Sequence, residues 1–347
     1  MLATKRQDAH DRQGGRVGET EEPPMSILLF LNLKGGVAKT TNSVAVAECL
    51  AEQGYRTLLI DADHQCMSGE LLLGESRLLN CERRKITLHD LLAAMLDDDF
   101  SADQFPAYVV PKVSDIGDGL DKLSVLPCSI RIDDFSTNMA KARHGFKSTD
   151  EFNAIFQRRR GMLRKWLTAN YDFTIVDCPP SIPLQVKVFL TVADAFIVPA
   201  IPDRLSVRGS LWLLDRIRRL GVKLNGLGTL WTLYREQNAM HRKVVEVAAK
   251  GAEPYKQLPK PFATVIPNAA AIAMASEPDR KRKNFTAKYT PQFAKLYRSL
   301  CEEIVQRSQW QTAAMNGAKS AAMGESGAQR ERTVSPLPEG KSPVGRS

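Results

Sequence analysis

Eight consecutive residues, Lys34-Gly35-Gly36-Val37-Ala38-Lys39-Thr40-Thr41, combine the groups that a nucleotide phosphate needs. Glycines let backbone N–H groups turn inward around an anion, and Lys39 carries a charge that can reach terminal phosphates. The Thr40 hydroxyl is a hard oxygen suited to Mg²⁺, and a following helix adds positive potential at its N-terminus. A glycine turn that merely precedes a helix is the competing reading; the succession of strand, loop, Lys-Thr and helix favours the phosphate site. Carboxylates close two further apolar runs, in Asp61-Ala62-Asp63-His64-Gln65 and in Asp177-Cys178-Pro179-Pro180-Ser181. A carboxylate ending a buried strand costs free energy unless it is paired, and Mg²⁺ reached through water supplies such a pairing. Acidic residues at such positions also serve simply as loop caps. Cys178 has no base beside it in sequence and reads as a small buried side chain.

The elements that must hold these residues are legible from hydrophobic pattern. Ser26 to Asn32 is a nearly continuous apolar run, as expected of a strand covered on both faces. From Thr40 to Gln53 the residues Val44, Ala47, Leu50 and Ala51 recur at helical spacing, Gly54 supplies a stop, and Thr57 to Ile60 forms the next strand. Further strands are predicted at 123–126, 173–176, 195–199, 228–233 and 263–266, with helices at 162–169 and 205–220 between them. Such alternation specifies an α/β fold: one Rossmann-like domain, a mostly parallel twisted sheet with helices on both faces. Residues 131–160 are the least readable part, and a helical insertion is the reading they allow.

Residues 1–24, rich in Arg, Asp, Glu, Gly and Pro, and residues 312–347, rich in Ala, Gly, Ser and Pro, lack periodicity, so they read as a disordered arm and a disordered tail around a folded part at 25–311. The six cysteines are scattered without zinc or disulfide spacing, which fits a reducing cytoplasm. No apolar run is long enough to span a bilayer, and no secretory signal is evident. Taking an arm of net −1 and a tail of net +2 from the total of +9 leaves +8 on the folded part, which suits a polyanionic partner or a merely solvated basic surface.

The glycine segment departs from the general P-loop pattern G-x-x-x-x-G-K-[ST] at Leu33 and Ala38. It resembles the deviant form K-G-G-x-G-K-[ST]-[ST] of the ParA/MinD family, with Lys34 as the additional lysine and Ala38 in place of a glycine. Asp61-Ala62-Asp63-His64-Gln65 is similar to that family's D-x-D-P-Q, with His64 for the proline, and Asp177-Cys178-Pro179-Pro180 to its D-x-P-P. The resemblance spans nearly the whole folded part. It implies a P-loop NTPase fold and Mg-ATP as substrate, with Asp61 and Asp177 joining Thr40 around the metal. It also implies that Asp63 positions the attacking water and that Lys34 reaches the ATP of a second subunit, so that dimerisation depends on intact nucleotide.

By the same resemblance three roles compete. The first is a DNA-partition ATPase for plasmid or chromosome segregation, whose ATP dimer binds non-specific DNA and whose hydrolysis is stimulated by a centromere-binding or other partner protein. The basic core favours it. Candidate phosphate contacts are Arg242, Lys243, Arg280, Lys281, Arg282 and Lys283, for which a solvated basic loop is the alternative. A positioning ATPase for a protein cargo would use the same switch. The second role, a MinD-like membrane-surface ATPase, needs a C-terminal amphipathic basic helix that the tail does not offer, so no stable membrane association is expected. The third, an iron–sulfur ATPase, would have only Cys128 and Cys178 to draw on. With 24 residues ahead of Met25, an N-terminal helix-turn-helix is not expected.

Overall fold

The computed structural model describes residues 27–277 and 281–330, with side chains described through residue 309. Its sheet contains β1 (Ile27–Phe30), β2 (Thr57–Asp61), β3 (Val110–Val113), β4 (Leu120–Leu126), β5 (Phe173–Asp177), β6 (Ala195–Ala200) and β7 (Asn225–Trp231). The order across it is β3-β4-β2-β5-β1-β6-β7. Every neighbouring pair is parallel except β3 with β4.

Side chains alternate across a strand, so a central strand covered on both faces must be apolar at every position. In β1, Leu28 and Phe30 enter one core while Ile27 and Leu29 enter the other, and all four are fully buried. The first core packs helix Lys39–Glu52 against a terminal helix, Phe285–Arg330. The second packs helices Leu88–Ala94, Thr149–Asn170, Leu184–Leu190 and Arg204–Arg219 against the opposite face.

Residues 131–160 are largely helical, in Phe135–His144 and the start of Thr149–Asn170. The side chain of Ser148 caps the second by accepting from the Glu151 N–H, and Phe152, Phe156, Leu163 and Leu167 form its buried stripe. The charged run 158–160 hides that stripe in the sequence, because Arg159 is itself buried and donates to the Met95 carbonyl at 2.6 Å.

Two strand expectations are corrected. β3 carries Pro111 and was not anticipated; it is an edge strand, where a missing donor is tolerated. The segment 263–266 is not a strand of the sheet: it touches β7 through single hydrogen bonds, Phe262 N–H to Thr229 O and Ile266 N–H to Trp231 O, between prolines at 261 and 267. The terminal helix bends at Thr290 (φ 62°, ψ 159°), ahead of Pro291, and its backbone stays helical to Arg330. Residues 312–330 are thus helical where an irregular tail was expected, since alanines and other strong helix formers outweigh the scattered Gly and Ser. The arm at 1–24 and the tail beyond 330 lie outside the described residues. Among the described residues no helix is long and apolar enough to cross a membrane.

Candidate nucleotide site

Strands β1, β2 and β5 end side by side, with Asp177 in register with both Phe30 and Asp61. The glycine loop leaves β1 at this edge and is pinned from three sides. Asn32 donates to the Pro199 carbonyl (2.7 Å) and to Ser210 Oγ (3.1 Å), while its own oxygen accepts from the Lys34 N–H (3.0 Å). The Thr232 hydroxyl holds the Val37 carbonyl at 3.0 Å, and the Asn42 amide holds that of Ala38 at 2.7 Å. Lys39 curls back over the loop, its ammonium 3.2 Å from the Lys34 carbonyl, and is buried. Gly35 and Gly36 are exposed, and a methyl group at either would meet nothing within 4 Å. Ala38 sits at φ 57°, ψ 36°, the left-handed conformation that a glycine adopts without penalty. Alanine is acceptable there only at a cost of about 1 kcal/mol, so this departure from the family pattern strains the loop.

The electrostatics centre on Asp177. It is essentially fully buried, and neither of its oxygens has a hydrogen-bond partner. Burial pushes its pKa up to about 6, against the pull of the Thr40 hydroxyl, the Lys39 ammonium and the Ser43 hydroxyl nearby. An orphaned carboxylate beside hydroxyls is the donor set a Mg²⁺ ion accepts, since that ion keeps several waters and takes its other ligands from substrate phosphates. Among the described residues no three His, Cys, Asp or Glu side chains gather into a cage.

Asp61 differs. Burial, with Asp177 adding to it, lifts its pKa to about 8, but both oxygens are engaged by backbone N–H groups, Asp63 at 3.1 Å and Gly69 at 2.8 Å. Expected as a member of the metal shell, it also organises the turn that carries Asp63. Asp63 lies close enough to favour the charged form of Lys39 and to disfavour that of Asp177. Its Oδ1 accepts from the Gln65 N–H at 3.1 Å and lies 3.4 Å from His64 Nδ1, a contact that the family's proline could not make. Burial lowers the pKa of Lys39, with the charges of Asp177, Cys178 and Asp63 opposing it. Lys34 is half-exposed at the mouth of the loop, its Cβ against Gly209. Cys128 and Cys178 are buried just beyond β4 and β5.

A family model described as an AAA domain (AAA_31) matches residues 25–227. Over 230 residues the chain is 30% identical to the chromosome partitioning protein ParA of Caulobacter vibrioides, covering 64% of this chain and 75% of that one. The chain belongs to the ParA/MinD family. Its P-loop ATPase fold is shared with a Borrelia burgdorferi protein assigned to plasmid partition and bound to AMPPNP (TM-score 0.59, 18% identity, 82% of this chain and all of that one). It is shared also with Mycobacterium smegmatis cobyrinic acid a,c-diamide synthase bound to an ATP analogue and magnesium (TM-score 0.53, 26% identity, 78% and 93%).

In this family member the basic residues singled out from sequence do not form one patch. Arg280 lies outside the described residues. Lys281, Arg282 and Lys283 adjoin the turn between β3 and β4, where Arg282 N–H bonds the Asp115 carbonyl and Lys281 pairs with Asp118 at 3.2 Å. Arg282 is half-buried and donates to the Met274 carbonyl, while Lys281 and Lys283 are exposed. Arg242 and Lys243 are exposed on helix Ala239–Ala249, which packs beside β7 at the far edge of the sheet. Sequence reading passed over a third group. Helix Arg204–Arg219 exposes Arg204, Arg208, Arg216, Arg218 and Arg219, and Arg208 stacks over the exposed Trp212 at 5.0 Å. Arg204 and Arg208, four residues apart, and the cluster Arg216, Arg218 and Arg219 on a helical segment were the signal.

Proposed function

We propose that the chain is a Mg-dependent, ATP-gated switch ATPase of DNA partition: ATP joins two copies, the joined form holds DNA without sequence preference, and hydrolysis releases it. The observation that carries this reading is the buried, unpartnered carboxylate of Asp177 facing Lys39 and Thr40 across a pinned glycine loop. Lys39 would neutralise the terminal phosphates, and the loop N–H groups would hold them. Asp177, through water, and Thr40 would hold Mg²⁺, which when bound neutralises charge on the phosphates. Asp63, on the turn that Asp61 fixes, would orient the attacking water. Lys34 has its backbone anchored by Asn32 and its side chain half-exposed, which suits a reach to the partner copy's nucleotide.

Similarity to a chromosome partitioning ParA supports the partition role, and the exposed Arg208, next to the Gly209 that meets Lys34, adds basic surface close to the loop. The test is fluorescence anisotropy on two unrelated duplexes, with ATP and with ADP, over a series of salt concentrations. Two copies each making about three phosphate contacts give a log-log salt slope near roughly −5 with ATP, equal on both duplexes. Equally negligible binding with ATP and ADP would reject DNA as the partner and move the reading to a protein cargo or a membrane surface.

A further inference from the structure

Of the six cysteines, five are buried and Cys66 alone is partly open to solvent. Cys66 closes the turn that starts at Asp63: its N–H donates to the Asp63 carbonyl at 2.9 Å, and its thiol rests 3.4 Å from the His64 carbonyl. The same side chain packs against the apolar core that contains Cys128, and the two thiols are near enough to influence each other; Cys128 is fully buried in the segment that follows β4. The parallel pairing of β2 with β4, Ile60 opposite Leu126, is what brings the two departing segments together.

We propose that Cys66 and Cys128 form a reversible disulfide under hydroperoxide, and that this bond stops hydrolysis by displacing Asp63. The Cys66 thiolate attacks one oxygen of hydrogen peroxide; an S–O bond forms, the O–O bond breaks, and the departing oxygen leaves as water after taking a proton. The Cys128 sulfur then attacks the Cys66 sulfur; the S–S bond forms, the S–O bond breaks, and hydroxide leaves with the Cys128 proton as a second water. Two thiols lose two electrons in total, and one peroxide becomes two waters. Exposure assigns the first step to Cys66, and burial, which holds the Cys128 thiol well above its ordinary range, assigns Cys128 the second. Such disulfides in a reducing compartment are transient and regulatory.

The sulfurs must close to about 2 Å. Cys128 is held in the core and Cys66 sits on an open turn, so the turn moves and carries Asp63 with it. A displacement of about 1 Å is enough to slow an oriented reaction by roughly 100-fold. The glycine loop is not part of this turn, so nucleotide binding survives. The structure also contains an internal control. Cys49 and Cys301 are likewise near enough to influence each other, but both are fully buried between two helices, out of reach of peroxide.

The effect on hydrolysis rests on Asp63 being the water-orienting residue; formation of the bond does not. The full chain is treated with hydrogen peroxide, alkylated and digested without reductant, and the peptides are weighed, with ATP hydrolysis and ATP binding measured on the same sample. The expected results are a Cys66–Cys128 linked peptide, a fall in hydrolysis of at least about tenfold, unchanged ATP affinity and recovery with dithiothreitol. Cys66→Ser should show neither link nor loss. A Cys66 oxidised singly beside an unmodified Cys128, a Cys49–Cys301 link in its place, or undiminished hydrolysis by the linked protein would overturn the proposal. An untreated chain that binds but never hydrolyses ATP would count against the functional reading, while the peptide masses would still decide the disulfide.

Discussion

Asp177 shows how a single residue ties stability to function. Its native pKa of about 6 lies above the ordinary carboxylate value, so the folded state holds the proton more tightly than the unfolded chain. The nucleotide-free protein therefore loses stability as pH rises from about 4 through about 6, by roughly 3 kcal/mol. Asp177→Asn should remove that cost, raising the melting temperature at pH 8 by a few degrees without nucleotide, with the gain shrinking below about pH 6. The same variant should hydrolyse Mg-ATP poorly. Equal melting temperatures of variant and parent at pH 8 would show that the carboxylate is solvated after all. Ala38 allows a second test. Ala38→Gly relieves a left-handed alanine and should raise the unfolding free energy by about 0.5 kcal/mol net of glycine's added freedom in the unfolded chain, seen as a slightly higher urea midpoint; a lower midpoint would contradict the strained loop. Most of this site was legible: Lys39, Thr40, Asp63 and Asp177 were placed by type and spacing, and the fold brings them together. The sequence could not show that Asp61 gives both oxygens to backbone N–H groups, because those donors, at 63 and 69, are set by how the turn winds.

Among the elements, the helix that follows the glycine loop is bound to the terminal helix by more than apolar packing. Asn42 accepts from the Tyr297 hydroxyl at 3.1 Å, and Glu52 pairs with Arg298 at 2.8 Å. Between these, the buried Glu48 takes the Lys288 ammonium at 2.8 Å and the Tyr289 hydroxyl at 2.8 Å, and Lys288 also meets Asp115 at 2.6 Å. Breaking a buried ion pair from one side leaves a charge without its partner, at a cost of about 3–5 kcal/mol. Lys288→Met should therefore lower the unfolding free energy by about that amount in urea titration, and adding Glu48→Gln should restore part of it; a neutral single variant would mean that water reaches this cluster. None of this was legible, since the partners of Glu48 lie more than 60 residues away in sequence and only the folded topology joins them. The parallel strands were legible because each is apolar throughout, whereas edge strand β3, with a proline and exposed positions, carries no such signature.

At the scale of the whole molecule, the basic surface is divided between the two sheet edges and the arginine face of helix Arg204–Arg219. Net charge pointed to a polyanion, but no property of the sequence could show that residues 242–243 and 281–283 stand at opposite edges. A DNA surface built from separated groups gains most when two copies are joined, and that junction is the central claim. It is tested most directly by light scattering of Asp63→Ala, which should bind ATP and hold it unhydrolysed, compared with a double variant that also carries Lys34→Ala. With Mg-ATP, Asp63→Ala should scatter at twice its monomer mass and return to monomer mass with ADP, while the double variant should remain monomeric in both although its ATP affinity is retained. An Asp63→Ala protein that binds ATP and stays monomeric, or a double variant that dimerises equally well, would contradict the account.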